Sequence, residues 1–583
     1  MKNVPGELHT RRFGAFELDV QAGELRKQGI RIRLQEQPLR ILQMLLASPG
    51  RLVTREELRA ALWSNNSYID FDQGLNRAIN KLREALGDSA ECPRFIETLA
   101  RRGYRFLADV RTDTSADSSG VRSLMILPLE SLSQDPEQGY FAEGLTEALT
   151  TALAKISALR VISHTTATYY KRVNKPMPEI ARELGIEGVI EGSVLRAEGR
   201  VRISVQLIYA PTDTHLWAEN YEREVRDTLT LQGEVARAIV EEIQVKLTPQ
   251  ERTQLERAPA IDPQAYDEYL RGRYYWSKRT IEGSRRAVRS FEEAIAREPR
   301  YAAAHAGLAD CYGVRGYYGM VCPEEGCAKG KKIALQAIEI DPYAAEPHAS
   351  LAWALQYYDY DFVAAEREFR RSIELNRRYI VAHYWLSMSL AWQGRFEEAF
   401  MEVKQALDLD PLSIAGNPFL SMAYACARQY ERLAAHARHI IELYPDLPQL
   451  HWALGWAAVD LSQFELAIAE FKLAAECAGG ATLYRAMGAE AYALAGDAYE
   501  ARRILQELLE NSAREYVTPY MIGRIYAALD QRDEAFASLE AGWKERAAWM
   551  PFLKVDPRMD VLRSDPRFSE LMSRIKFPPV PAR

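Results

Sequence analysis

Small residues recur at a nearly constant interval through the C-terminal half of this chain. The positions are Ala287, Gly330, Ala365, Ala399, Leu433, Ala467, Ala501 and Ala535, with spacings of 43, 35, 34, 34, 34, 34 and 34, and Leu433 is the one larger side chain among them. Four of them are followed twelve residues later by a proline, at Pro299, Pro342, Pro411 and Pro445. This period predicts one helix pair per repeat, with the small side chains at close helix contacts. Because each pair buries its faces only against its neighbours, we expect a superhelix with a concave groove.

The same segment resembles the tetratricopeptide repeat family. Leu454-Gly455 and Ile522-Gly523 match the first-helix signature, and the 43-residue step accommodates an insertion around residues 317–326. We predict about eight repeats over residues 265–548, followed by a helical cap over 549–583 that shields the last repeat. The resemblance implies that first helices line the groove, near which it places Tyr357, Tyr384, Met388, Trp452, Trp456, Tyr520 and Arg524. Packing between repeats is the alternative for each of these aromatic residues.

A second pattern lies near the N-terminus. Leu75, Ile79, Leu82 and Leu86 form one apolar stripe on a predicted helix. Its other side carries Arg77, Asn80, Lys81 and Arg83, donors of the kind that a helix in a DNA major groove requires. Two short predicted strands follow, joined by a hairpin with Arg101 and Arg102 at its tip. The layout indicates a winged helix, whereas a solvated amphipathic helix with a surface turn is the alternative.

The order of a small sheet, three helices and a hairpin over residues 10–108 resembles the OmpR/PhoB-type winged-helix domain. Leu-Arg-Glu-Ala-Leu-Gly-Asp at 82–88 and Phe-Ile-Glu-Thr-Leu at 95–99 match it most specifically. The resemblance implies that the third helix reads DNA and that the preceding loop meets RNA polymerase. By motif position, the helix residues are Arg77, Asn80, Lys81 and Arg83, the wing residues Arg101, Arg102 and Arg105, and the loop residues Trp63, Asn65, Asn66 and Tyr68.

Relatives in two-component signalling place a phosphate-accepting receiver before this module, and about ten residues precede it here. We therefore expect DNA binding without control by an attached receiver. Phosphorelay signal transduction would then be a property of the family only and is not expected for this chain.

A third segment lies between these two. Residues 109–121 are small and polar and predict a flexible linker, and the charged, proline-containing residues 249–264 predict a connector. Between them, strands and helices over 122–248 predict a small α/β domain. Phe141-Ala-Glu-Gly-Leu-Thr-Glu-Ala-Leu149, Glu191-Gly-Ser-Val194 and His215-Leu-Trp-Ala-Glu219 resemble the TolB amino-terminal-like domain, which implies no chemistry.

Charge separates the two ends of the chain. Residues 1–110 carry a net charge of +4, and the remainder carries −11. Only the N-terminal part has the sign expected for nucleic acid. Neither a membrane span nor a signal peptide is evident, so we expect a cytoplasmic protein.

Catalytic and metal-binding motifs are missing from the sequence. It lacks a phosphate-binding Gly-x4-Gly-Lys loop, a His-Glu-x-x-His pair and a Gly-x-Ser-x-Gly elbow, and the lone Cys322/Cys327 pair supplies two of the four ligands that zinc needs. We expect neither an enzyme nor a cofactor.

The sequence thus predicts a multidomain, mainly α-helical regulator that binds double-stranded DNA through a winged helix. Its middle α/β domain is small, and its helical solenoid receives a protein or ligand signal, with a protein or peptide in the groove. RNA polymerase and a second copy of the chain are further partners left open. The alternative is a repeat scaffold whose winged helix docks protein.

Overall fold

The computed structural model describes residues 9–578 apart from 14–15, 20–23, 28–29, 33, 48–49, 63–70, 90–92, 100–101, 109–110, 115–120, 134–138, 174, 246, 249–251, 253–260, 279 and 513. It divides into two compact units, Met1–Ser119 and Gly120–Arg583. Within the described residues, none of the helices combines the length and apolar character needed to cross a membrane.

The first unit packs three helices against two small antiparallel sheets. Its elements are β1 (His9–Phe13), β2 (Phe16–Asp19), β3 (Glu24–Lys27), β4 (Ile30–Ile32), α1 (Glu36–Ala47), β5 (Leu52–Thr54), α2 (Arg55–Leu62), α3 (Phe71–Leu86), β6 (Ile96–Leu99), β7 (Gly103–Phe106) and β8 (Arg111–Thr114). The sheet orders are β4-β3-β2-β1-β8 and β5-β7-β6. Residues 111–114 were predicted as linker, but they form a strand antiparallel to β1, with Arg111 opposite Arg12. That part of the linker prediction is wrong.

The second unit begins with an α/β segment. It contains β9 (Ser123–Ile126), β10 (Glu130–Ser131), α4 (Gly139–Ala154), β11 (Arg160–Val161), α5 (His164–Val173), α6 (Met177–Leu184), β12 (Gly188–Ala197), β13 (Arg200–Tyr209), β14 (Thr214–Glu224) and α7 (Thr228–Glu242). The sheet order is β11-β9-β12-β13-β14, with β10 also pairing with β12. β9 is parallel to β11 and β12, whereas β12, β13 and β14 form an antiparallel meander.

Eight helix pairs follow in the described part of the chain. They are α8 (Pro263–Ser277) with α9 (Ile281–Arg297), α10 (Ala302–Tyr317) with α11 (Lys329–Ile340), α12 (Ala345–Tyr357) with α13 (Phe362–Leu375), α14 (Ile380–Trp392) with α15 (Phe396–Leu409), α16 (Asn417–Cys426) with α17 (Tyr430–Leu443), α18 (Pro448–Asp460) with α19 (Phe464–Cys477), α20 (Thr482–Leu494) with α21 (Ala498–Asn511), and α22 (Pro519–Ala528) with α23 (Arg532–Lys544). Each recurring small residue lies in a second helix and is buried. At Gly330 a β-carbon would lie 3.1 Å from the Ala309 carbonyl oxygen, which explains the small side chain. The predicted repeats are confirmed.

A histidine in several first helices holds its repeat together. The Nδ1 atoms of His348, His383 and His451 lie 2.7–2.8 Å from a glutamate oxygen of the following second helix. Their Nε2 atoms contact the carbonyl oxygen six residues earlier. These contacts join the loop, the first helix and the second helix of one repeat. The sequence analysis did not identify them.

The α/β segment and the superhelix pack together rather than forming two independent domains. A β-carbon on Gly144 of α4 would lie 2.6 Å from the Leu270 carbonyl oxygen of α8, so these helices are in close contact. Farther along, the Thr166 hydroxyl donates to the buried Asp410 carboxylate at 2.7 Å, and Arg378 donates to the Ser157 carbonyl at 2.8 Å. The α/β segment therefore lies against the loops of several successive repeats.

The C-terminal segment crosses the array instead of covering only its last repeat. It contains the 3-10 helices Met550–Lys554 and Pro557–Leu562 and the helix α24 (Pro566–Ser573). The Trp549 ring stacks on Tyr317 of the second repeat at 5.1 Å, and its indole N–H donates to the Tyr317 carbonyl at 3.1 Å. The Tyr360 hydroxyl donates to the Ala547 carbonyl at 2.9 Å. The predicted terminal cap is thus a segment that reaches back to the early repeats.

Candidate nucleic-acid interface

Helix α3 has one buried and one exposed side. Leu75, Ile79 and Leu82 are at most 1% exposed, so the predicted apolar stripe is in the core. Arg77 and Asn80 are exposed on the other side. A helix fixed in this way presents a donor-rich surface without reorganising its backbone.

Lys81 is also exposed, and its ammonium group donates to Gln35 Oε1 at 2.8 Å. Gln35 directly precedes α1, so this bond links the exposed side of α3 to the start of another helix. A long exposed side chain can exchange such a partner for phosphate or a base at little cost, since surface hydrogen bonds contribute about 1 kcal/mol.

Arg83 does not match the base-contacting role that the sequence predicted for it. Its side chain is 7% exposed, and its guanidinium donates to the Ile96 carbonyl at 2.7 Å and to the Thr98 hydroxyl at 2.8 Å. Both acceptors are on β6. The guanidinium therefore fixes the wing relative to α3 and does not reach outwards.

Asp88 fixes the same junction from the other side, and the sequence analysis missed this role. Gly87 ends α3 with a φ of 64°, the left-handed conformation common after helices. The Asp88 carboxylate then accepts backbone N–H groups of Arg94, Phe95 and Ile96 at 2.7–3.2 Å. One carboxylate thus sets the start of β6, which explains the Leu-Gly-Asp part of the motif.

The wing presents fewer described cations than predicted. Arg102 is exposed, and Arg105 is half-buried with its Nε 3.4 Å from a Glu97 oxygen. At Gly103 a β-carbon would lie 2.1 Å from the Val53 carbonyl oxygen, so the hairpin returns directly against β5. Arg101 lies outside the described residues, as do the predicted polymerase-contact residues Trp63, Asn65, Asn66 and Tyr68.

Asn76 is a candidate interface residue that sequence reasoning did not select. Its side-chain oxygen accepts a hydrogen bond from Arg55 at 2.9 Å and one from the Tyr104 hydroxyl at 3.0 Å. Arg55 opens α2 directly after Thr54, whose reciprocal bonds with Glu57 form a capping box at the start of that helix. Asn76 thus joins α2, α3 and the wing. Residue spacing along the sequence does not indicate this contact.

The predicted groove residues are buried. Tyr357, Tyr384, Trp452, Trp456 and Arg524 are at most 5% exposed. Trp456 contacts the Phe552 ring of the C-terminal segment, with centroids 5.7 Å apart. Arg524 donates to Glu490 at 2.6 Å and lies 3.7 Å from Asp556. Burial raises the pKa of Glu490 against the opposing effect of Arg524. The C-terminal segment thus covers the part of the predicted protein-binding groove that contains Trp456 and Arg524.

Comparison with known proteins agrees with this geometry at the N-terminus. The family model described as "Transcriptional regulatory protein, C terminal" matches residues 29–106, which contain α1, α2, α3 and the wing. The N-terminal unit is an OmpR/PhoB-type DNA-binding domain. A solved structure of the Klebsiella pneumoniae RstA DNA-binding domain with the RstA box is 28% identical and covers 17% of this chain and 96% of that one, with a TM-score of 0.16.

Two curated relatives match longer stretches. "Putative adenylate cyclase 3" of Rhizobium meliloti is 37% identical over 238 residues, which is 40% of either chain. The match is longer than the N-terminal unit and therefore includes part of the second. "Transcriptional regulator HilA" of Salmonella typhi is 23% identical over 410 residues, 69% of this chain and 71% of that protein.

Proposed function

We propose that this chain is a sequence-specific, DNA-binding transcriptional regulator. The supporting observation is the exposed side of α3, where Arg77, Asn80 and Lys81 point away from a buried apolar stripe within a domain that the family model matches. Arginine and asparagine form bidentate contacts with guanine and adenine, respectively, in the major groove. These three residues are the proposed base-contacting set. Arg83 is not part of it, because its guanidinium binds β6.

The wing is proposed to bind the phosphate backbone through Arg102 and Arg105. Arg101 keeps the same proposed role from the sequence. Phosphate contacts position a protein on the duplex but carry no sequence information. RNA polymerase is the proposed partner of the loop that contains Trp63, Asn65, Asn66 and Tyr68. A regulator of this kind would act in the cytoplasm, without enzymatic activity and without a phosphoryl donor.

The superhelix is proposed to receive the signal. The burial of Trp456 and Arg524 argues against a peptide lying along the whole groove, since the C-terminal segment occupies the space beside them. A signal molecule can still bind the uncovered part of the groove or change the contact between the α/β segment and the repeats.

The experiment is fluorescence anisotropy of the full chain with sites selected from a pool of genomic fragments. Arg77→Ala and Asn80→Ala should each cost about 1–3 kcal/mol of binding free energy and relax the preference at one base pair. Arg102→Ala should weaken binding to all sequences and reduce the salt slope by about 1. Arg40→Ala is the control, because Arg40 is a solvent-exposed cation on α1, 54% exposed.

Equal affinity of the wild type and the Arg77→Ala/Asn80→Ala double variant would contradict the assigned face of α3. Absence of duplex binding at low salt would contradict the regulator itself and favour the second candidate, a repeat scaffold whose winged helix docks protein.

A further inference from the structure

Two adjoining cavities lie among the first helices of the repeats. Their empty space, which in both includes open solvent at the mouth, is about 920 Å³ in the larger and about 410 Å³ in the smaller. Tyr318, Pro418, Phe419 and Gln449 line both, so we treat them as one two-lobed chamber. Trp549 of the C-terminal segment lines the smaller lobe.

Aromatic rings form much of the wall of the larger lobe. Trp353 and Trp385 lie 4.6 Å apart between centroids, and Tyr384 stacks on Phe419 at 4.6 Å. Trp276 and Tyr318 complete the aromatic lining. Such rings present negatively polarised faces, which attract cations.

A single charged group completes the lining. Of the described residues around either lobe, Asp310 supplies the one carboxylate, and neither lysine nor arginine is present. Asp310 accepts a hydrogen bond from the Ser350 hydroxyl, which orients its carboxylate. A carboxylate among aromatic faces favours a cation and repels an anion.

Several buried polar atoms of the chamber lining make no hydrogen bond within the described structure. In the larger lobe these are Trp353 Nε1 and Ser284 Oγ, in the smaller lobe Trp452 Nε1, and between them Gln449 Oε1. Trp353, Trp452 and Ser284 are each at least nine-tenths buried. Buried polar groups are normally paired, so water or a polar group of a ligand inside the chamber would supply the partners of these four atoms.

We propose that this chamber binds an organic ammonium ion, with the charged group near Asp310 and its apolar part against the tryptophan and tyrosine rings. The proposal deepens the signal-receiving role given above to the superhelix and rests on that role for its effect on DNA. Binding itself is measured without DNA, so the two proposals can fail separately.

The test is a titration of the full chain, followed by tryptophan fluorescence and by calorimetry, with three probes of similar size. Benzyltrimethylammonium chloride is the cation, benzyl alcohol the neutral probe and sodium phenylacetate the anion. We expect saturable binding of the cation, at least about tenfold weaker binding of the neutral probe and no binding of the anion. Equal affinity for the cation and the neutral probe, or no saturable signal with the cation, would overturn the proposal.

Two variants locate the site. Asp310→Asn should lower the affinity for the cation about tenfold, since it removes the charge and retains the shape. Ala415→Phe should abolish binding by filling the larger lobe, which Ala415 lines, without touching the carboxylate. Tyr499→Phe, at a tyrosine 79% exposed outside the chamber, is the control and should bind like the wild type.

Circular dichroism establishes that each variant is folded. If Asp310→Asn fails to fold, Ala415→Phe decides the question. Unchanged affinity in any folded chamber variant would contradict the assignment.

Discussion

Arg83 and Arg77 lie six residues apart on one helix and provide a matched test of the two sides of α3. Arg83→Met retains the aliphatic length of the side chain and removes its two donor bonds to the Ile96 carbonyl and the Thr98 hydroxyl. Hydrogen bonds from a charged group contribute about 1.5–3 kcal/mol each, and the carbonyl left without a partner adds to the cost. We therefore expect a loss of at least about 3 kcal/mol in the local stability of the junction between α3 and the wing.

Arg77→Met removes an equal charge from the exposed side. Exposed substitutions usually change stability by less than about 0.5 kcal/mol, whereas loss of a base contact costs about 1–3 kcal/mol of DNA binding. The two variants should therefore separate stability from affinity.

Hydrogen-exchange mass spectrometry of the full chain measures local stability in peptides that cover α3 and β6, and anisotropy measures binding to a selected site. Arg83→Met should accelerate exchange in both peptides, and Arg77→Met should leave exchange unchanged while weakening binding. The reasoning is refuted if Arg83→Met weakens binding with wild-type exchange, because Arg83 would then contact DNA directly.

Three further predictions concern stability. Gly103→Ala should destabilise the wing by more than about 2 kcal/mol, because its β-carbon would lie 2.1 Å from a carbonyl oxygen. Gly139→Ala is the control and should not be destabilised, because nothing lies within 4 Å of its β-carbon. Urea unfolding measures the stability of both variants. The Glu470 hydrogen bond raises the pKa of His451 in the folded protein. The stability that this pair contributes should therefore be complete below about pH 6.5 and should be lost as the pH rises through the higher folded-state pKa. A pH series of melting temperatures measures this, and the same slope for His451→Gln as for the wild type would contradict it. Asp556→Ala should cost about 1–3 kcal/mol, because it leaves the buried Tyr520 hydroxyl without its acceptor and removes one of the two carboxylates near Arg524, and a melting temperature equal to that of the wild type would argue against the buried network.

Local sequence patterns were sufficient to predict the helix α3 and the helix pairs of the repeats. The 34-residue period identified the helix pairs because each small residue lies where a second helix meets its neighbour, as the 3.1 Å approach at Gly330 shows. The stripe through Leu75 and Leu82 identified the buried side of α3 because helical periodicity determines which residues share a face.

Contacts between distant segments could not be predicted in the same way. Arg83 lies at the margin of the polar side of α3, and only the position of β6, thirteen to fifteen residues later, shows that its guanidinium points inwards. Asp88 and Asn76 likewise act through bonds to other elements. Residues 111–114 have a polar composition typical of linkers, yet β1 offers an open edge and pairs with them.

The position of the C-terminal segment changes which partner the superhelix can accept. Trp549 and Phe552 pack against Tyr317, Trp392 and Trp456, which are rings that an empty groove would offer to a peptide. A peptide partner would have to displace these contacts and also the buried bond between the Tyr520 hydroxyl and Asp556. A small molecule in the chamber would need to displace neither. For the signal-receiving role proposed for the repeats, these contacts favour a small ligand over a long peptide.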